Sequence, residues 1–300
     1  MLASANGHLY VVQCLDAYSG TLDLVDNNGQ TALMLASVNG HVTVVQRLLQ
    51  RSANPDLIDL SGSTALMLAI TNGQASVIQS LINRSIPDVL YPDGKTVLMM
   101  AISCGLVDVA AQLVQKSRNV NAVDRDGKTA LMLASAKGYE KVVQQFMNRS
   151  NRDLDPAALN LVDSDDNTAL ILTIQNGHDA VAQNLIAQGA NINLTDKDGK
   201  SALLLASTNG HEIAVKLLIN AQADVNLSDL SDTTALMLAS TNGHDRIVQR
   251  LLAAGANVDL CDNNGDTALF LASRQGHSAI AQRLENAGAQ MSPTPAGAAT

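Results

Sequence analysis

Three rows of residues hold the side chains of this 300-residue sequence best suited to chemistry, and their spacing decides what they can do. His8, His41, His178, His211, His244 and His277 all follow a glycine in the same "GH" pair and are strewn along the chain. They cannot converge on one metal ion or one substrate atom, so their reading is structural, near a turn between units. Asp26, Asp59, Asp124, Asp163, Asp196, Asp229 and Asp262 recur once per unit at the opening of a turn. A calcium loop or an acid–base pair needs carboxylates gathered at one point. A single carboxylate beside free turn amides is a cap. Cys14, Cys104 and Cys261 form an odd, scattered set and not a disulfide framework. That usage points to a reducing compartment, the cytoplasm first and the nucleus second. Cys104 falls at an exposed position with no partner base evident to activate it. The sequence holds no CxxC, HExxH or phosphate-loop glycine–lysine motif. It therefore implies no enzyme, no cofactor and no metal site.

These rows are in step because the elements that carry them repeat. The words "TALMLAS" at 31–37 return nearly unchanged at 64, 96, 129, 168, 201, 234 and 267, at intervals of 33, 32, 33, 39, 33, 33 and 33 residues. Such a period means stacked units that pack on their neighbours. In the unit from Asp26 to Asn54, Gly29 suits a tight turn and Thr31 an N-cap. Leu33, Leu35 and Ala36 give a short helix its apolar side, and Gly40 stops it. Val44, Val45, Leu48 and Leu49 share one face of a second helix over about 42–50. Leu133 is read as core by the same logic. Helices under about 12 residues are marginal in water, so stacking must supply the burial. Small Ala36, Ala69, Ala101, Ala134, Ala206, Ala239 and Ala272 allow close approach. Aromatic residues are 2% and tryptophan is absent, which leaves Leu, Ala, Val, Ile and Met to fill the interior.

The expected fold is all-α: stacked helix-turn-helix units over residues 1–290. A partial first repeat (1–25) precedes eight repeats starting near 26, 59, 91, 124, 163, 196, 229 and 262, with six extra residues within 148–160 and a disordered tail over 291–300. Met1 aligns with Met34, so the first unit lacks its turn and half its first helix. Asp16 and Glu285 put charges at a second-helix position that is apolar elsewhere, as end units would. Asp166 and Asp232 stand where the turn glycine is expected, and Tyr91-Pro92 where a unit normally opens with Asp. With 28 acidic against 19 basic side chains, the charge of −9 disfavours nucleic acid and anionic membrane. No run of about 18 apolar residues suits a bilayer, and the opening lacks a secretory leader. A monomer is expected.

The pattern D-x-x-G-x-T-A-L-M-L-A-x-x-x-G-H…V-V-x-x-L-L…G-A-x-V-D/N resembles the ankyrin repeat over residues 1 to about 290. Resemblance implies an arched α-solenoid with projecting β-hairpin loops and a protein-binding concave face. Two departures recur. Alanine or valine replaces the proline after the threonine, and Met34, Met67, Met99, Met132, Ile171, Leu204, Met237 and Phe270 replace the usual histidine. The second row is read as packing between repeats. The asparagines before the helix-ending glycines, Asn6, Asn39, Asn72, Asn176, Asn209 and Asn242, are read as helix terminators. Contacts are implied at turn positions two, three and five and at the two residues before the helix-ending glycine. In the central units these slots include Lys95, Cys104, Arg125, Asp126, Lys128, Lys137, Asp165, Asn167, Asn176, Lys197, Asp198, Lys200 and Asn209. All eight lysines fall between 95 and 216, so the expected partner is a protein or peptide with an acidic segment. Two other readings stand beside this scaffold: a recognition arm of a larger protein (adaptor, channel or bacterial effector in a host cytosol), and a structural spacer.

Overall fold

From the second repeat on, a hydroxyl starts the first helix and a glycine ends it. Thr31, Thr64, Thr96, Thr168, Ser201, Thr234 and Thr267 lie in extended backbone. Their hydroxyls, and that of Thr129, accept the amide three residues on at 3.1–3.4 Å. The methionine row completes the cap from the other side. Amides of Thr31, Thr64, Thr129 and Thr234 donate to the sulfurs of Met34, Met67, Met132 and Met237 at 3.4–3.5 Å.

This computed structural model describes residues 1–15, 22–86, 89–91, 93–149 and 156–291. Asp16, Pro92, residues 150–155 of the loop that carries the six extra residues, and the tail after Met291 lie outside them. The helices run in pairs, α1 (Leu2–Ala5) with α2 (Leu9–Leu15), α3 (Ala32–Val38) with α4 (Val42–Gln50), and α5 (Ala65–Thr71) with α6 (Ala75–Leu81). Next come α7 (Val97–Ser103) with α8 (Val107–Lys116), α9 (Ala130–Ala136) with α10 (Glu140–Met147), and a 3₁₀ turn over Pro156–Asn160. The series continues with α11 (Ala169–Gln175) and α12 (Asp179–Ala187), then α13 (Ala202–Asn209) and α14 (Glu212–Asn220). It closes with α15 (Ala235–Thr241) and α16 (Asp245–Ala253), then α17 (Ala268–Arg274) and α18 (Ser278–Asn286).

The chain divides into two compact units, Met1–Leu133 with Gln144–Arg149, and Ala134–Val143 with Ser150–Thr300. In the first, α1, α3, α5 and α7 pack in series, backed by α2, α4 and α6. In the second, α11, α13, α15 and α17 do the same, backed by α12, α14, α16 and α18. Each unit's core is the seam between these rows, where Leu33, Met34, Ala36, Val44, Val45, Leu48 and their counterparts are buried. Met34, Met67, Met99, Met132, Ile171, Leu204 and Met237 are therefore packing, as expected, whereas Phe270 is only half-buried, with the Arg274 guanidinium 5.6 Å from its ring centre. Leu133 and Leu35 are corrections: both are only half-buried, while Leu131 and Met132, like Leu33 and Met34, take the core. On so short a helix, the residues at the start of the first turn face the seam and the next one slips round it. Glu285 is exposed at the position where Leu49, Ile82 and Val114 are buried. At the other end, Leu15 is 54% exposed although its counterparts Leu48, Leu81, Leu113 and Phe146 are at most 2%.

The projecting loops are hairpins closed by single antiparallel bridges, Val25 to Thr31, Leu90 to Thr96 and Val123 to Thr129 in the first unit. Thr195 to Ser201, Ser228 to Thr234 and Cys261 to Thr267 repeat the bridge in the second.

Candidate partner-binding surface

Each hairpin is locked by its opening aspartate. One oxygen of Asp26 accepts the amides of Asn28 and Gln30, both at 2.8 Å. Asp59, Asp124, Asp163, Asp196, Asp229 and Asp262 repeat this at their own second and fourth following residues, at 2.8–3.0 Å. The aspartate row thus shapes the turn, as its spacing implied. Burial pushes the Asp59 carboxyl up, but hydrogen bonds from the Ser61 hydroxyl, the Ser63 amide, Gln30 and the Ser61 amide outweigh it and hold its pKa below the usual value. Tyr91 replaces the aspartate in the fourth repeat, and there Asp93 accepts the Lys95 amide instead.

The histidine row ties repeat to repeat. Ring nitrogens of His41, His244 and His277 lie 2.9–3.2 Å from the carbonyls of Ala5, Thr208 and Thr241. His178 and His211 reach Ala136 and Ile174 in the same way. Opposite a carbonyl, each such nitrogen must carry the proton. Gln74 takes the place of histidine and donates to Val38 O at 3.0 Å. The rings press on the glycine that ends the preceding first helix: a Cβ on Gly138 would fall 2.5 Å from His178. These glycines therefore serve both positive φ and close approach. Asparagines close the same helix ends, with Asn39, Asn72, Asn176 and Asn242 donating to the carbonyl four residues back at 2.8–2.9 Å.

The expected contact residues stand at the hairpin tips and at the ends of the first helices. In the first unit, Cys104, Arg125 and Asp126 are exposed and Lys128 half-buried. Lys95 pairs with Asp93 at 2.8 Å, and the Arg125 amide donates to Asp93 O at 3.2 Å, which brings these tips together. The hydrogen bond from Lys95, joined by its charge, outweighs burial and lowers the Asp93 carboxyl, while Asp93 in turn raises the Lys95 ammonium. In the second unit, Lys137, Lys197, Asp198 and Asn209 are exposed, and Lys197 pairs with Asp165. That hydrogen bond raises the Lys197 ammonium. Asn167 is turned inward instead, donating to Asp163 and accepting from Gln175. Asn176 is spent on its helix end. Lys200 is half-buried, its amide held by Asp196. Sequence reasoning by slot placed these residues at the tips, but a slot does not reveal which side chains pair locally.

Among the described residues, no three His, Cys, Asp or Glu side chains are grouped to hold a metal, and no helix is long and apolar enough to cross a membrane. All three cysteines are free thiols. No curated protein matched the chain. A family model described as ankyrin repeats in three copies matches residues 1–90, 72–158, 153–229 and 214–294. The lock, the inter-repeat histidines and this match agree: the chain belongs to the ankyrin-repeat family, whose arrays are generally modules for binding other proteins.

Proposed function

We propose that this chain is a protein-binding scaffold that takes up a segment of a partner along its hairpin tips and first-helix ends. One observation carries the reading. The residues that recur in every repeat are consumed by the fold, whereas the slot at the second turn position changes freely, as Asn27, Leu60, Pro92, Arg125, Ser164, Lys197, Leu230 and Asn263. A surface that the fold does not specify is free to specify a ligand. An acidic partner segment suits the basic side chains gathered in these slots of the central repeats, Lys95, Arg125 and Lys128 in the first unit and Lys137, Lys197 and Lys200 in the second. Exposed ion pairs contribute only about 0.2–1 kcal/mol each, so charge here sets orientation and association rate while apolar contacts set affinity. The free thiols of Cys14, Cys104 and Cys261 support a cytoplasmic setting.

The test is charge reversal on the tip. With the partner recovered by affinity capture, Arg125→Glu with Lys128→Glu should slow association and leave the circular dichroism unchanged. Unaltered association would remove this surface from consideration. A second reading, a recognition arm within a larger protein, is favoured by the apolar α1–α2 face, where Leu2, Tyr10, Val11 and Leu15 are exposed. Such a face suits a further packed element.

A further inference from the structure

Four apolar side chains stand in file along the hairpins of the first unit. Val25, Ile58, Leu90 and Val123 hold the same register, just before the turn-opening position, and are 51–56% exposed. Leu24 and Leu60 widen the file and are also exposed. Neighbouring hairpins are tied together: Leu60 N donates to Asn28 O at 3.0 Å, the Ser63 hydroxyl to the Tyr91 hydroxyl at 3.3 Å, and Arg125 N to Asp93 O at 3.2 Å. The four side chains therefore follow one another from repeat to repeat.

The second unit supplies the control. Its register reads Val162, Thr195, Ser228 and Cys261, and the same bridge closes at Thr195, Ser228 and Cys261 as at Val25, Leu90 and Val123. The hairpin does not need an apolar residue there. Single exposed apolar residues are ordinary, but a contiguous file marks an interaction surface.

Resting on the protein-binding reading above, we infer that this file is the docking strip for an amphipathic helix of the partner. Stacked repeats advance by roughly 10 Å, the distance between packed helices. A helix presents the same face every seven residues, about 10.5 Å. A strand returns a side chain to one face about every 6.6 Å and falls out of step. A polyproline helix advances about 9.3 Å per turn and keeps step, but its single file leaves Leu24 and Leu60 uncovered. A helix places a second apolar residue three or four positions on, where those leucines stand. Charge then fixes the partner's polarity. Hairpin segments 23–31 and 56–64 carry Asp23, Asp26, Asp56 and Asp59 and no lysine or arginine, whereas in the next two Lys95, Arg125 and Lys128 balance Asp93, Asp124 and Asp126. The docking helix is basic over Val25 and Ile58, and its less basic half lies over Leu90 and Val123.

Two labelled peptides test this by fluorescence anisotropy against the full chain. One is helical, with leucine at every seventh residue, lysines along one half and glutamates along the other. The second is proline-rich, with leucine at every third residue. The helical peptide should bind, and Val25→Ser/Ile58→Ser/Leu90→Ser/Val123→Ser should weaken it about tenfold or more by removing apolar contact. Circular dichroism should be unchanged, because Ser228 already closes the same hairpin. The strip is overturned if the serine variant binds the helical peptide as tightly as the parent, if the proline-rich peptide binds more tightly, or if neither binds. Arg125→Glu with Lys128→Glu separates the two readings: no change there, with binding lost in the serine variant, sinks the acidic-partner reading and keeps the strip.

Discussion

Four residues do glycine's work without being glycine. Asp166 and Asp232 take φ of 59° and 58° at the turn position where Gly29 and Gly199 sit, and Ser52 and Gln222 take 67° and 66° where Gly189 and Gly255 follow second helices. A Cβ on Gly189 or Gly255 would meet nothing within 4 Å, so these second-helix sites ask for conformation and not space. The left-handed region costs an ordinary L-residue about 1–2 kcal/mol, less for Asp, against about 0.5–1 kcal/mol for glycine's extra freedom when unfolded. Gln222→Gly should therefore stabilise by a few tenths to about 1 kcal/mol, and Asp232→Gly by less, in urea melts. The sequence exposed Asp166 and Asp232 because the turn word is fixed; Ser52 and Gln222 escaped it because their loop varies. Asp59 supplies a pH test. Its carboxyl is held below its ordinary value, so its stabilisation is full above the unfolded-state pKa and is lost as pH falls through the lower folded one. Asp59→Asn should cost roughly 1–2 kcal/mol near neutrality, and the gap to the parent should close in acid. A gap that persists at low pH would assign the loss to packing.

At the scale of the element, repeats differ less in their helices than in what joins them. Most junctions have a histidine or glutamine over the preceding glycine, but the third and fourth repeats meet at Leu106, and a Cβ on Gly73 would find nothing within 4 Å. The tip bond is missing in kind there too, since a proline at 92 has no amide hydrogen to give. The loop stitch from the Ile86 amide to Asp56 at 2.7 Å remains. Leu106→His should place a ring on Gly73 within reach of the Thr71 carbonyl and stabilise by about 1 kcal/mol, raising hydrogen-exchange protection in α5 and α7 most. No gain in either would show that the histidine row is incidental to stacking. The helices themselves were legible, because Thr, Leu and Gly at fixed offsets encode cap, seam and stop. The seam's direction was less so: Leu35 and Leu133 have the right chemistry, yet rotation along a two-turn helix gives their places to Met34 and Met132.

For the molecule as a whole, the period dictated the repeat architecture, because no other arrangement satisfies eight copies of one word. The surface was legible only by slot. Pairing of Lys197 with Asp165 depends on neighbouring tips meeting in space, and so does the alignment of the apolar file from Val25 to Val123. Its signal was present in the sequence as four apolar residues in one register, followed by valine, threonine, serine and cysteine in the next four. On the proposed function, the tip-and-first-helix face of the array holds a protein partner. The most direct measurement is hydrogen exchange on the captured complex, compared with the free chain. The expected footprint is slowed exchange at the hairpins around 25–31, 58–64, 90–96 and 123–129 and at the C-terminal ends of α3, α5 and α7. Protection confined to the outward faces of α4, α6 and α8, with the hairpins exchanging as in the free chain, would contradict it.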